Sequence, residues 1–223
     1  MQFEKSSLQF LKDLKKNNNR EWFAEHKPTF KKAQDNAKEL YASIRENLET
    51  HDEIDKFKLF RIYRDVRFSK DKTPYQPHFA GSFSRSGKAL RGGYYLRIRP
   101  EESFLAGGFW EPNKEDLLRI RKEIEMDASE MRAILADKNY KKYFGGTFDG
   151  AELKSAPRGF DKEHPDVDLL RKKGFIAVRN FTDAEVLDPN FLKELDKTYK
   201  ALRPFFDYMS DVLTTNLNGE SII

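Results

Sequence analysis

The run "GGYYLRIR", Gly92–Arg99, decides the fold. Tyr94, Leu96 and Ile98 alternate with Tyr95, Arg97 and Arg99. That period of two is the mark of a strand with one face on a core and the other toward water. Outward from it, three more short runs have strand character: Lys58–Phe68, His78–Arg85 and Ser103–Trp110. The loops between them hold Pro74, Pro77, Gly87, Gly92, Gly93 and Pro100, and connections this short favour antiparallel neighbours. In the first run, parity puts Phe60, Ile62, Val66 and Arg64 on one face. It puts Leu59, Arg61, Tyr63, Asp65 and Arg67 on the other. The expected sheet over 58–110 therefore has an apolar face with Phe60, Ile62, Leu96 and Ile98 under helices. Its opposite face is lined with Arg and Tyr.

Helical patterns flank this meander. Phe10, Leu11 and Leu14 form a short first helix that ends at Asn17–Asn19, and Glu21–Phe23 suit a second. Pro28 fits the first turn of a long helix striped by Phe30, Ala33, Ala37, Leu40, Tyr41, Ile44 and Leu48. After Pro112, Asn113 suits a cap and Leu117, Ile120 and Ile124 a stripe; Asp127 and Glu130 have the spacing of a new cap. Residues 145–174 read as irregular, and "FIAVRNF", Phe175–Phe181, as a fifth strand. A last helix opens at Asp188–Pro189 and is expected to kink at Pro204.

The whole predicts an α+β fold, with an antiparallel sheet of about five strands and helices from both termini on one face. A single domain over 1–223 is expected. It comprises a helical part at 1–52, the meander at 57–110, helices at 113–145, an irregular segment and fifth strand at 146–181, and a helix at 188–218.

The 223 residues carry 41 Lys and Arg against 37 Asp and Glu, a net charge of +4. The excess is uneven: from Arg61 to Arg99 stand ten basic residues and only two acids, Asp65 and Asp71. A basic middle within an acidic remainder attracts anions. With no cysteine, disulfides, thiol catalysis and iron–sulfur ligation are excluded. The charged start and the lack of a long apolar run predict a soluble, cytoplasmic protein without a membrane role.

Familiar motifs fail on spacing. In "GSFSRSGKA", Gly81–Ala89, five residues separate the glycines where a phosphate loop needs four, and Ala89 stands where Ser or Thr would bind magnesium. None of His26, His51, His78 and His164 pairs at helical ligand spacing, so no metal site is expected. No cofactor signature is present, and Gly-x-Ser-x-Gly is absent.

The richest stretch is "RIYRDVRFSKDKTPY", Arg61–Tyr75. Its arginines outnumber their local acids, and Arg97 arrives from the third strand; a surplus of guanidinium suits an anion. The candidate ligand residues are Arg64, Asp65, Arg67, Lys72, Tyr75 and Arg97. Because parity aims Arg64 away from Arg67, the site needs a bulge or a sharp twist near Asp65–Val66. Three functions compete. One is binding of a phosphate-bearing or other anionic ligand, such as a small molecule or nucleotide, with weak, non-specific nucleic-acid binding at most. Another is an enzyme on an anionic substrate, with Asp65 or Asp71 as acid–base group beside Arg64, Arg67 and Lys72. The third is a structural lock without ligand. His164–Pro165 reads as a turn before a helix, with the alternative that His164, beside Lys162, Arg171, Lys172 and Lys173, joins a second anion site.

"LFRIYRDVRFSKDKTPYQPHF" resembles the hallmark of domain-of-unknown-function family 2461, conserved hypothetical proteins of bacteria and fungi. "FLKDLKKNNNREWFAEHKPTF", "GGFWEPNKEDLLRIRKEI" and "PRGFDKEHPDVDLLRKKGF" fit the same family. The resemblance implies one compact domain and an important motif at Arg64, Asp65, Arg67, Phe68, Asp71, Lys72, Pro74 and Tyr75, but no activity. Where this chain has Tyr63, the family pattern favours a small polar residue, often Asn.

Overall fold

The computed structural model describes residues 1–223. In chain order the elements are α1 (Lys5–Lys16), α2 (Arg20–Glu25), α3 (Lys27–Glu49), β1 (Ile54–Leu59), β2 (Phe79–Arg85), β3 (Gly93–Ile98) and β4 (Ser103–Phe109). There follow α4 (Lys114–Met126), α5 (Ser129–Ala136), α6 (Lys138–Phe144), α7 (Val167–Leu170), β5 (Phe175–Phe181), α8 (Asp183–Val186), α9 (Phe191–Lys200) and α10 (Arg203–Thr214). The five strands form one antiparallel sheet in sequence order, and the fold is α+β. No helix is long and apolar enough to cross a membrane. Contact density divides the chain into two compact units: residues 1–83, 95–105 and 180–197, and residues 84–94, 106–179 and 198–223.

In the first unit the stripe of α3 lies on the sheet. Tyr41 is fully buried, and its hydroxyl donates toward the carbonyls of Leu96 at 2.9 Å and Phe79 at 3.2 Å. Its ring stacks with Phe57 and Phe83, themselves 5.0 Å apart. Gly81 makes this possible, because a Cβ there would stand 2.6 Å from the Tyr41 ring. Buried Asn36 pins the N-terminal segment to α3, accepting from Glu4 N and donating to Gln2 O. Phe10 meets Trp22, Phe23 and Phe30, which packs α1 and α2 onto α3. The burial of β3 alternates as its sequence does. Leu96 and Ile98 are fully buried, and Tyr95, Arg97 and Arg99 on the opposite face remain half-exposed.

In the second unit α10 supplies the core. Tyr94 packs edge-on against Tyr199 and Phe206, and a Cβ on Gly107 would enter Leu202. Asn113 caps α4 by accepting from Asp116 N at 2.8 Å. Arg132 on α5 joins Asp166 and Asp168 at 2.8 and 2.6 Å.

Three expectations are corrected. The first strand ends at Leu59, so Arg61–Phe68 is not sheet; Phe60, expected in the core, is 39% exposed on the Arg/Tyr face. Asp127 is not the cap of α5, whose cap position is Ala128, although its carboxylate accepts from Ser129 N nearby. Pro204 does not kink a continuous helix. The ring would clash with a carbonyl one turn back, so α9 ends at Lys200 and α10 restarts with Pro204 in its first turn, where a missing N–H costs nothing.

Candidate functional site

The Arg61–Tyr75 motif leaves the sheet after Phe60, whose N–H still reaches Ala80 O. It returns to it at Phe79, and a bridge between Tyr63 and Tyr75 closes the excursion at its base. Arg64 N donates to Pro74 O at 2.9 Å and Gln76 N to Ile62 O at 2.7 Å. From α1's far end Asn18 acts as a third rung. Its amide donates to Tyr75 O at 2.9 Å and its oxygen accepts from Tyr75 N at 3.1 Å. A side chain thus satisfies backbone groups that a longer strand would have paired.

Arg64 is the knot of the loop. Its guanidinium donates to Asp71 at 2.5 Å, to Thr73 O at 3.1 Å, to the Thr73 hydroxyl and to Ser69 Oγ at 3.4 Å. Asp71 also accepts from Thr73 N at 2.9 Å. That backbone bond, with Arg64 and the Thr73 hydroxyl, holds its carboxyl down at about 2. Asp65 accepts from Arg67 Nε at 3.0 Å and Nη2 at 2.7 Å, which lowers its pKa; both side chains are exposed. Lys72 turns back onto Val66 O and Arg67 O. Tyr75 is buried and stacks on Phe23 at 4.0 Å and 14°. Arg97 lies over Phe104 at 4.4 Å and donates to Glu102 O at 3.0 Å.

The six sequence candidates therefore do not form one floor. Arg64, Asp65, Arg67 and Lys72 share the loop, Tyr75 belongs to the core beneath it, and Arg97 stands on the sheet. Of the bulge or sharp twist expected near Asp65–Val66, the bulge is absent, because the strand ends at Leu59 and these residues form a loop. His164 is occupied locally: Nδ1 accepts from Asp166 N, leaving Nε2 to face Glu125 O. Arg171 and Lys172 are taken by Glu152 and nearby carbonyls.

Between the loop and the sheet face lies a concavity of about 490 Å³. Phe60, Tyr63 and Tyr95 give it aromatic walls; Arg61, Arg64, Gln76 and His78 give it polar groups. Arg61 is exposed and makes no hydrogen bond or close ion pair, although its charge helps to lower the carboxyl of Asp65, which also lines the concavity. Arg97 and Arg99 share one carboxylate, Glu102, so that side also carries a surplus cation. His78 has a buried Nδ1 with no partner. Burial first, and then the guanidiniums of Arg97 and Arg99, push it down to about 4. It is therefore neutral at pH 7. Arg61 and Tyr95 fell on the Arg/Tyr side of the sequence pattern. His78 gave no signal of its own, because one histidine before a strand has no motif.

His78 makes a pH prediction. Unfolded, it titrates near 6.5; folded, near 4. Between those values the unfolded chain holds the extra proton, so acidification favours unfolding. Stability should fall by on the order of 2–3 kcal/mol from pH 6.5 to 4 on this account. The low carboxylates Asp71 and Asp65 act in a lower window, losing their contribution only as pH falls below their ordinary value of 3.8. Urea titrations across pH should show His78→Gln flattening the upper window alone; an unchanged slope there would refute the assignment.

The chain belongs to domain-of-unknown-function family 2461 (DUF2461), described as conserved hypothetical proteins, whose pattern matches residues 6–208. No curated protein and no solved structure matches it. No group of three or more His, Asp or Glu side chains is arranged to hold a metal ion.

Proposed function

We propose that the protein binds a phosphate-bearing or other anionic ligand in the concavity between the motif loop and the sheet face. The observation that carries this reading is Arg61, a guanidinium without a hydrogen bond or close ion pair, whose neighbouring carboxylate Asp65 is already engaged by Arg67, at the wall of a cavity biased positive by Arg97 and Arg99. Arg61 would make the two-pronged phosphate contact. Neutral His78, with an unsatisfied buried nitrogen, would offer a directional hydrogen bond. Arg64 would act through the loop it ties, holding Arg61 and Tyr63 in place.

The same geometry weighs against Asp65 or Asp71 as an acid–base group. Each is tied to an arginine and held below the ordinary carboxylate range, Asp71 at about 2, and so low a base takes little proton at neutral pH.

Thermal-shift titration with pyrophosphate, AMP and glucose 6-phosphate tests the proposal, since a ligand that binds only the native state raises its melting temperature. At least one should protect the wild type. Arg61→Ala should weaken binding roughly 10- to 100-fold, the cost of losing one charged hydrogen-bond partner, with the ligand-free melting temperature unchanged. Protection by none of the three, or protection indifferent to Arg61→Ala, would sink it.

A further inference from the structure

The chain has 30 Phe, Tyr and Trp residues, and nearly all are covered. The exposed ones are Phe60 at 39%, Tyr63 at 47%, Phe68 at 96% and Trp110 at 71%. Three of these four fall within residues 60–68, on or beside the proposed site. Burying a large ring is among the strongest drives in folding, so their concentration in the motif loop is not explained by the core.

The sheet face continues the pattern. Phe60 and Tyr95 have ring centroids 6.4 Å apart, and Tyr95 and Phe104 5.5 Å apart, which makes a row of rings across half-exposed sheet. Ala80, on β2 beside Phe60 and next to the strand that carries Tyr95, is a small residue at the row and lines the concavity with them. The guanidinium of Arg97 lies on Phe104 and Lys58 Nζ stands 5.2 Å from the Phe60 ring. Cations thus flank both ends, with Arg61 and Arg99 beside them. A row of rings on an open sheet, edged by Lys and Arg, is how proteins hold splayed bases while tracking a backbone.

We propose that the anion held at this site is the backbone of a short single-stranded nucleic acid, two or three of whose bases stack on Phe60, Tyr95 and the Arg97–Phe104 pair. This rests on the anion-binding reading above and names its ligand class. A single nucleotide would use one ring of the row; only a strand uses all of it. Stacking tolerates every base, so binding is sequence-tolerant, and the phosphate contacts make it salt-sensitive.

The test compares four probes by calorimetry at low salt: the hexanucleotide dA6, an abasic hexamer with the same backbone, AMP and pyrophosphate. The expected order places dA6 at least roughly tenfold tighter than either the abasic hexamer or AMP. Phe60→Leu and Phe104→Leu should each reduce dA6 affinity about tenfold, and Phe104→Leu, whose ring lies outside the concavity, should leave pyrophosphate binding unaltered. Phe60 is exposed, so its variant folds and keeps the test valid if the Phe104 variant does not. Equal binding of dA6 and the abasic hexamer overturns base stacking while the anion site survives. Equal binding of AMP and dA6 overturns the strand in favour of a mononucleotide. Unchanged dA6 affinity in Phe60→Leu overturns the ring row. If none of the four binds, the anion-binding reading falls with it.

Discussion

Gly108→Ala is expected to be the most damaging single-methyl change in the chain, costing more than about 4 kcal/mol. Gly108 lies in β4 with φ at +136°, a backbone that L side chains rarely adopt, and holding alanine there costs about 1–3 kcal/mol. The added Cβ would also run into the carbonyl oxygen of Phe175 on the neighbouring β5, and would stand 3.0 Å from Ile176 Cα. Both obstacles are backbone, so neither can swing aside as a side-chain tip could. Relief requires β4 and β5 to part. Against a total stability of about 5–15 kcal/mol, that loss leaves much of the protein unfolded under mild denaturant. Gly87→Ala is the control. Its φ of +70° is also positive, but no atom lies within 4 Å of its added Cβ, so its cost should stay near 1–2 kcal/mol. Urea titrations of the two variants should differ widely; similar midpoints would mean that the close approach of β4 and β5 is not rigid.

The second large effect is local. Arg64→Ala should open the motif loop and abolish anion protection while the rest of the fold persists. The Arg64 side chain is only 18% exposed and its guanidinium reaches Asp71, Thr73 and Ser69 at once, so its loss leaves three points of the loop without a common partner. Besides Arg64, residues 69–73 are held to the rest of the loop by Lys72 on its two carbonyls and by Ser69 N, which donates to Val66 O at 3.3 Å. Limited proteolysis between Phe68 and Lys72 should accelerate about a hundredfold, because cleavage follows the population of the opened loop. Arg64→Lys should rescue little, since one ammonium cannot replace a planar fork bonded on several sides. Wild-type cleavage rates in Arg64→Ala would show that the knot is not what orders the loop.

These two sites differ in how legible they were. Gly107 and Gly108 stand inside the strand run Ser103–Trp110, where glycine signals close backbone approach because it has few other uses in a strand. Arg64 read as a ligand residue because charge surplus was counted along the chain. In space its charge is met by Asp71, seven residues away, and the surplus moves to Arg61 and to the Arg97–Arg99 pair. Periodicity carried Lys58–Phe68 too far as a strand. Its alternation was real, but a strand also needs a partner for every N–H and C=O. Here Asn18, 57 residues from Tyr75, and the Arg64 side chain supplied competing partners.

The sequence by itself determined the elements whose burial repeats locally: the α3 stripe, the alternation of β3, the fifth strand at Phe175–Phe181 and the basic middle. Each of these is set by neighbours two to four residues apart, so the pattern is complete within a short window. Only the tertiary structure decided that the motif is a knotted loop, that His78 has a desolvated nitrogen, and that Phe60, Tyr95 and Phe104 line up on one open face. These depend on which distant groups reach one another once the sheet has formed, and hydrogen bonding and desolvation at such meetings are not encoded in any local spacing.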